Sequence, residues 1–181
     1  MVMKVLVIAG LARSGKDTVA DYLAGKYGFS KFVMSDALIA EMQKKGIATG
    51  KMNISKFGDE LRRKKGMAAV AELVYARIKK SKAKKVAIVG PRSAEEIEFF
   101  RRKFPGIKIV KVEAGREKRF ERKDEKDPKQ KKEFFERDER DSRNKGLKKV
   151  LGMAKIKISN NSGIDELKKK VDLLAGKLKI S

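Results

Sequence analysis

The chain has no cysteine and no histidine. Without thiols it has no disulfide, no thiolate nucleophile and no redox pair. Without imidazole it lacks the commonest acid–base catalyst and the commonest zinc ligand. Proton transfer is therefore left to Asp, Glu, Lys or Tyr, or to water. Long apolar runs are missing too. "MVMKVLVIAG" at the N-terminus is too short for a secretory signal and is interrupted by a Gly-rich loop, and no stretch approaches a membrane span. These absences lead to the expectation of a cytoplasmic protein. Nor is there a Pro/Ser-rich linker or an internal repeat.

Charge is what the chain has in quantity. Charged residues make up 39% of its 181 positions, and the formal net charge is +23. Lys- and Glu-rich usage of this kind fits a heat-adapted surface laced with ion pairs. A balance this basic also raises the local concentration of polyanions, whether RNA, DNA or phosphorylated metabolites. The plainer alternative is a solvated lysine surface with loose, non-specific attraction. The 41% of apolar residues is adequate for one domain around a single core.

Strand-like and helical patterns alternate along the chain. Val5 to Ala9 is continuously apolar, as expected for a strand buried on both faces. "FSKFVMS" (29–35), "KKVAIVG" (84–90), "IKIVKVE" (107–113) and "AKIKISN" (154–160) are the other candidate strands. Helical spacing links Ala20, Leu23, Ala24 and Tyr27, then Met67, Val70, Ala71, Val74 and Ile78, then Ile97, Phe100 and Phe104. A final stripe runs through Ile164, Leu167, Val171, Leu174 and Leu178. Ser93 with Glu96 reads as a capping box, and Ser162 with Asp165 as a weaker one. The alternation predicts one three-layer α/β domain on a parallel sheet. Two segments break the rhythm. Residues 46–66 hold few large apolar groups, and 114–145 are almost all charged, with Phe120, Phe134 and Phe135 as the only large apolar anchors. The second segment is expected to be a mobile helical arm over the core.

The first strand runs into "GLARSGKDTVADYL" (10–23). Gly10 and Gly15 bracket four residues and Lys16 follows, the spacing of a phosphate-binding loop. Its position between a buried strand and an amphipathic helix lets the backbone amides of Gly10 to Thr18, with Arg13 and Ser14 among them, wrap a phosphate at a helix N-terminus. Lys16 would place its charge on the β and γ oxygens. The hydroxyl residue that normally follows the lysine is replaced by Asp17. Either Asp17 binds Mg²⁺ or the neighbouring Thr18 does so after a small shift; the plainer alternative is an Asp favoured in the first helical turn.

"SGKDTVADYL" resembles the loop of phage-type deoxynucleoside monophosphate kinases, which can also carry Asp after the lysine. Over nearly its whole length the chain is similar to an archaeal group related to adenylate kinase and dephospho-coenzyme A kinase. The pieces that carry this resemblance are "MSDALIAEM", "KFGDELRRKKGMAAVA", "GPRSAEEIEFFRRKF", "RFERK", "DPKQKKEFFERDERD" and "ISNNSG". It implies a P-loop kinase fold with strand order 2-3-1-4-5, an acceptor-binding helical region at 46–80 and a lid at 114–145. In that group the third strand ends in Asp-Gly-x-Arg, whose Asp (the Walker B carboxylate) orients Mg²⁺ and its water. Here the same place reads Val89-Gly90-Pro91-Arg92. The missing carboxylate puts phosphoryl transfer in question more than fold or nucleotide binding.

The resemblance also implies roles for individual residues. Asp36, after the second strand, would sit near the acceptor hydroxyl or the metal water as general base; the alternative is a helix-start Asp. Arg92, off a strand end at the carboxyl edge of the sheet, could clamp an acceptor phosphate bidentately, or form a structural ion pair. Arg62 resembles the acceptor-phosphate arginine, although it lies in a run of basic residues. Of the lid arginines Arg116, Arg119, Arg137 and Arg140, Arg119 in "RFER" is the one expected on the transferring phosphoryl group. Asn160 and Asn161 match the loop that lines the adenine. The resulting expectation is an ATP- and Mg²⁺-dependent phosphotransferase acting on a nucleoside monophosphate or related phosphorylated metabolite, monomeric or homodimeric. The alternative is a nucleotide-binding RNA- or ribosome-associated factor with slow ATPase activity.

Overall fold

A computed structural model describes residues 3–125, 127–143 and 146–180, apart from the side chains of residues 51, 140, 141 and 143. Five strands alternate with helices: β1 (Lys4–Ala9), α1 (Lys16–Tyr27), β2 (Ser30–Val33), α2 (Met34–Lys44), α3 (Lys51–Lys65), α4 (Ala69–Ser81), β3 (Lys85–Val89), α5 (Ala94–Lys103), β4 (Lys108–Glu113), α6 (Arg116–Glu121), α7 (Lys131–Arg143), α8 (Leu147–Gly152), β5 (Ile156–Ser159) and α9 (Ile164–Lys177). The sheet order is β2-β3-β1-β4-β5, and every pairing is parallel. This is the P-loop kinase arrangement that the resemblance implies. Among the described residues no helix is long and apolar enough to cross a membrane.

The two-residue period of each strand divides the core into two layers. Val5, Val7 and Ala9 of β1, with Val86 and Ile88 of β3, face α2, α4 and α5. Leu6 and Ile8, with Ala87 and Val89, face α1 and α9. The central strands β1 and β3 are covered on both faces, so after their first lysine they read as unbroken apolar runs, whereas the edge strand β5 alternates.

Three sequence readings change at this level. The second strand stops at Val33, because Met34, Ala37, Leu38 and Met42 form a buried helical stripe that takes over the rest of the expected run. The break in apolar rhythm at 46–66 is not an absence of helix: within the helical region that the resemblance implies, the segment contains the 15-residue α3. Its large apolar groups facing the core are Ile54, Phe57 and Leu61, which stand one and two turns apart and pack on the first layer. Gly58 lets α3 approach α2 closely, since a Cβ there would lie 3.0 Å from Leu38 Cδ1. The Ser162/Asp165 cap does not form: α9 opens on Gly163 without a side-chain cap, and Ile164 is exposed.

The Ser93 capping box does form, and it reaches beyond its own helix. Glu96 is fully buried. Its Oε2 accepts from the amides of Arg92 at 2.7 Å and Ser93 at 3.3 Å, and its Oε1 accepts from Arg62 Nη2 at 2.9 Å. A single carboxylate therefore joins α3 to the β3–α5 turn. Glu96→Ala should cost about 3–5 kcal/mol, because it strands the largely buried Arg62 guanidinium and removes a cap. A denaturant-unfolding series checks this. A loss below about 1 kcal/mol would mean that this brace does not hold α3.

Candidate functional site

All five strands run toward the edge where β1 gives way to the 10–15 loop. The loop's shape is enforced by contacts that leave no room for side chains. A Cβ on Gly10 would lie 2.4 Å from Ser14 Oγ and 2.6 Å from the Val112 carbonyl. Gly15 has φ +98°, and a Cβ there would meet Asn160 Nδ2 at 2.2 Å. Arg13 also has positive φ, 62°, a conformation that costs a non-glycine residue about 1–2 kcal/mol. The first rung of the α1 ladder is the Val19 amide to the Gly15 carbonyl. The amides of Lys16, Asp17 and Thr18 thus precede the ladder, at the positive end of the helix dipole.

Asn160 is buried behind the loop, and its Nδ2 donates to the Ser14 carbonyl at 2.9 Å. Its side chain therefore braces the loop from β5. Asn161 Oδ1 accepts from the Gly115 amide at 2.7 Å, tying the β5 end to the start of α6.

In front of the loop lies a cavity of about 320 Å³. Its lining is drawn from Gly10, Lys16 and Asp17, from α2 and α3, and from Val89 to Arg92. Arg62 and Arg92 are both at its surface. Arg62 is held by Glu96 and, at 3.6 Å, by Asp59. Asp17 is half exposed, 3.3 Å from Lys16 Nζ and 3.8 Å from Lys31 Nζ. Thr18 is half-buried in the first turn of α1 and does not line the cavity. Val89 is fully buried among the residues under α1, so the strand end beside Lys16 carries no carboxylate. Asp36 differs from its expected placement. It is exposed on the first turn of α2 and does not line the cavity, because Met34 and Leu38 turn inward and Ser35 takes the position facing it. Among the described residues, the acids that do line the cavity are Asp17 and Asp59. In the sequence nothing separates Asp59 from the basic stretch around it; its position on α3 is what brings it to the cavity.

The charged 114–145 segment is held over the loop. Arg13 pairs with Asp127 at 2.5 Å and with Asp124. Burial disfavours the Arg13 guanidinium, but its hydrogen bonds to those two carboxylates outweigh burial and push its pKa up. Arg137 reaches the other Asp127 oxygen at 2.6 Å. Arg119, 5% exposed at its side chain, pairs with Asp138 at 2.6 Å and donates to the Ala12 carbonyl at 3.2 Å. Arg122 donates to the Asn160 carbonyl at 3.0 Å. Phe120, Phe134 and Phe135 pack edge-on beneath these pairs, and Arg116 stacks 3.8 Å above Phe135. The composition suggests an arm with too little apolar surface to dock. The structure docks it chiefly through buried ion pairs, which a reading of charge as solvation does not anticipate. The Arg140 side chain lies outside the described residues.

Several guanidinium donors here have no hydrogen-bond partner among the described residues: Arg119 Nε, Arg122 Nη1, and Arg137 Nε and Nη2. Each guanidinium is engaged through another of its nitrogens, but a buried N–H left without an acceptor still costs about 1–3 kcal/mol, which a bound anion would relieve. Among the described residues no group of three metal-ligating side chains occurs.

No protein-family model matches the chain. A UPF0200 protein of Methanoregula boonei is 31% identical over 172 residues, covering 93% of this chain and 94% of its own. Among solved structures, a shikimate kinase from Bacteroides thetaiotaomicron superposes with a TM-score of 0.63 at 15% identity, over 98% of this chain and 99% of that one. A sugar kinase from Janibacter sp. gives 0.57 at 14% identity, over 99% and 96%. At these identities the likeness to the two kinases is one of fold.

The loop contacts make opposite predictions for two glycines. Gly10→Ala forces the loop against the Val112 carbonyl and should destabilise the fold by about 1–3 kcal/mol. Gly25→Ala, on open helix surface, should stabilise by up to about 1 kcal/mol. Paired thermal melts check both signs, and a neutral Gly10→Ala would show that the loop is not packed as described.

Proposed function

Because the chain belongs to the UPF0200 family and has the P-loop kinase fold, we propose that it is an ATP- and Mg²⁺-dependent phosphotransferase whose acceptor is a nucleoside monophosphate or a related phosphorylated metabolite. The observation that carries the reading is the cavity itself. One chamber is lined both by the phosphate-loop lysine and by two arginines, Arg62 of α3 and Arg92 of the β3–α5 turn.

The residues present fit a nucleotide triphosphate. The loop packs so closely on Val112 and Asn160 at Gly10 and Gly15 that neither position has room for a Cβ, and the amides of Lys16 to Thr18 precede the α1 ladder. Above it, buried guanidinium nitrogens of Arg119, Arg122 and Arg137 lack partners among the described residues. Gly10 to Thr18 would hold the phosphates through backbone amides, with Lys16 at the β and γ oxygens. Asp17, at the head of α1 and lining the cavity, is the carboxylate that would hold Mg²⁺, exchanging its contact with Lys16 for the metal. The metal would neutralise charge on the phosphate oxygens and fix their orientation.

The acids at hand support this acceptor class. A hydroxyl acceptor needs a side chain to take its proton. Asp36 is outside the cavity, position 89 is Val, and Asp17 and Asp59 are each engaged by a cation. A phosphate acceptor brings its own anionic oxygen and needs no such base. It does need cations to offset repulsion between two phosphates, and Arg92 and Arg62 both line the cavity. Arg119 of the lid would offset charge developing on the transferring group while the docked lid keeps water away.

The test is a panel of nucleoside monophosphates, dephospho-coenzyme A, shikimate and gluconate, each with ATP, Mg²⁺ and purified protein. The expected outcome is phosphorylation of one phosphate-bearing acceptor. Lys16→Ala should lower ATP affinity by about tenfold or more with the fold intact. Turnover of shikimate or gluconate alone would overturn the acceptor class. ATP hydrolysis with no transfer to any acceptor would replace the kinase by a nucleotide-binding factor with slow ATPase activity.

A further inference from the structure

The +23 charge is unevenly placed. In a parallel α/β sheet the strand starts and the helix ends share the edge opposite the site. Five segments meet there: residues 3–5, 24–29, 76–86, 101–108 and 176–180. Together they contain fourteen lysines and arginines and not one acid, so more than half of the net charge sits on this pole. The segments are joined in space. Lys4 lies opposite Lys85 in the β1–β3 register. Lys85 Nζ donates to the carbonyls of Tyr27 and Ile180, and Lys4 Nζ to that of Lys179.

Local structure accounts for only part of this charge. Helix ends attract cations, but four helix C-termini supply about −0.5 each, roughly −2 against +14. Lys4 and Lys85 are engaged by carbonyls, Lys26 by Asp172, Arg101 by Glu98, and Lys103 by the Tyr75 and Phe99 rings. The other nine are exposed and form no ion pair among the described residues. Like charges so crowded repel one another unless a polyanion neutralises them.

We propose that this pole binds the phosphate backbone of a nucleic-acid duplex. Among the described residues the large exposed apolar ones, Ile47, Met52, Met67, Ile164 and Leu173, all lie outside the five segments, which leaves no wedge for a lipid surface. The aromatics within the segments are buried or half-buried, with Tyr27 bonded to Asp172, so no platform stacks unpaired bases. A surface of lysines with neither feature contacts phosphates and reads no sequence. Its position leaves the nucleotide loop and cavity open, so the proposal stands whatever the acceptor is.

The test compares two quadruple charge reversals of equal net charge. One is Lys79→Glu, Lys80→Glu, Lys82→Glu and Lys84→Glu on the pole. The other is Lys56→Glu, Lys148→Glu, Lys157→Glu and Lys169→Glu on other faces. Binding to an RNA hairpin, to a DNA duplex of the same sequence and to anionic phosphatidylserine vesicles is measured across a salt series. Wild type should bind the duplexes at physiological salt. The pole variant should bind about tenfold or more weakly than the control variant, and its salt slope should fall by about 0.9 for each phosphate it no longer neutralises. Lys16→Ala should bind as wild type does. Equal weakening in both variants, no duplex binding at physiological salt, or binding to vesicles alone would each overturn the proposal. If the pole variant fails to fold, lysine-reactive labelling of wild type replaces it. Duplex should protect 76–86 and 176–180 more than 148–169, and uniform protection would overturn the assignment.

Discussion

The site depends on one buried side chain. Asn160 Nδ2 holds the Ser14 carbonyl at 2.9 Å. The Asn160 backbone amide donates to the Glu113 carbonyl at 2.7 Å, and its own carbonyl accepts from Arg122 of the lid. Two strands, the phosphate loop and the lid therefore meet at a single residue. A loop that must offer amides to a ligand can spend few of them on its own folding (the Ser14 amide donates to the Leu11 carbonyl at 3.2 Å), so it is held largely by its carbonyls and from behind. Asn suits this place because its amide group can donate to the loop, and the missing Cβ at Gly15 is what lets it come so close. Had the Ser14 carbonyl been left without this partner, the buried oxygen would cost about 1–3 kcal/mol, comparable to the strain at Arg13.

The same logic governs the lid. Asp127 is shared by Arg13 and Arg137, and Asp138 receives Arg119. The lid acids thus hold the arginines over the loop without occupying all of their donors, because each guanidinium carries five N–H groups. A pair of this kind gives little net stability against an apolar substitute, but it fixes orientation. Phe120, Phe134 and Phe135 supply the apolar floor that removes water from the pairs. Charge and burial are usually read as opposites; in this segment burial of the carboxylates is what makes the arginines point one way.

How far the sequence can be read follows from this physics. The strands are legible because β1 and β3, covered on both faces, leave continuous apolar runs and the others keep short apolar-rich stretches, and the ends shift only by a residue or two. The loop is legible because glycine spacing is a steric requirement that survives without any tertiary information. Ser93 and Glu96 are legible as a cap, but not as the anchor of Arg62, because that contact joins residues 34 positions apart. α3 escapes a periodicity reading because a few apolar residues in fifteen are enough when a neighbouring helix supplies the rest of the interface. Only resemblance puts Asp36 in the site. A helix that starts earlier than the expected strand end moves its carboxylate to the outside, and periodicity near a strand–helix junction does not resolve one turn.

The asymmetry of charge has a topological origin. A parallel sheet with helical crossovers sends every strand end to one pole and every strand start to the other. The upper pole carries the loop, the cavity and the lid, where acids and bases are interleaved at hydrogen-bond distance. The lower pole consists of turns that need only reverse the chain, so its residues are under no packing demand to be charged at all. Solubility would be served by lysines and glutamates in mixture, as on α3 and α7, where both signs share one helix. Fourteen cations without one acid in 3–5, 24–29, 76–86, 101–108 and 176–180 is a different pattern, confined to a pole where the fold leaves the choice free. The cations of that pole and the residues of the loop stand at opposite ends of β1 and of α1, so a polyanion bound below touches none of the contacts by which Asn160 sets the loop.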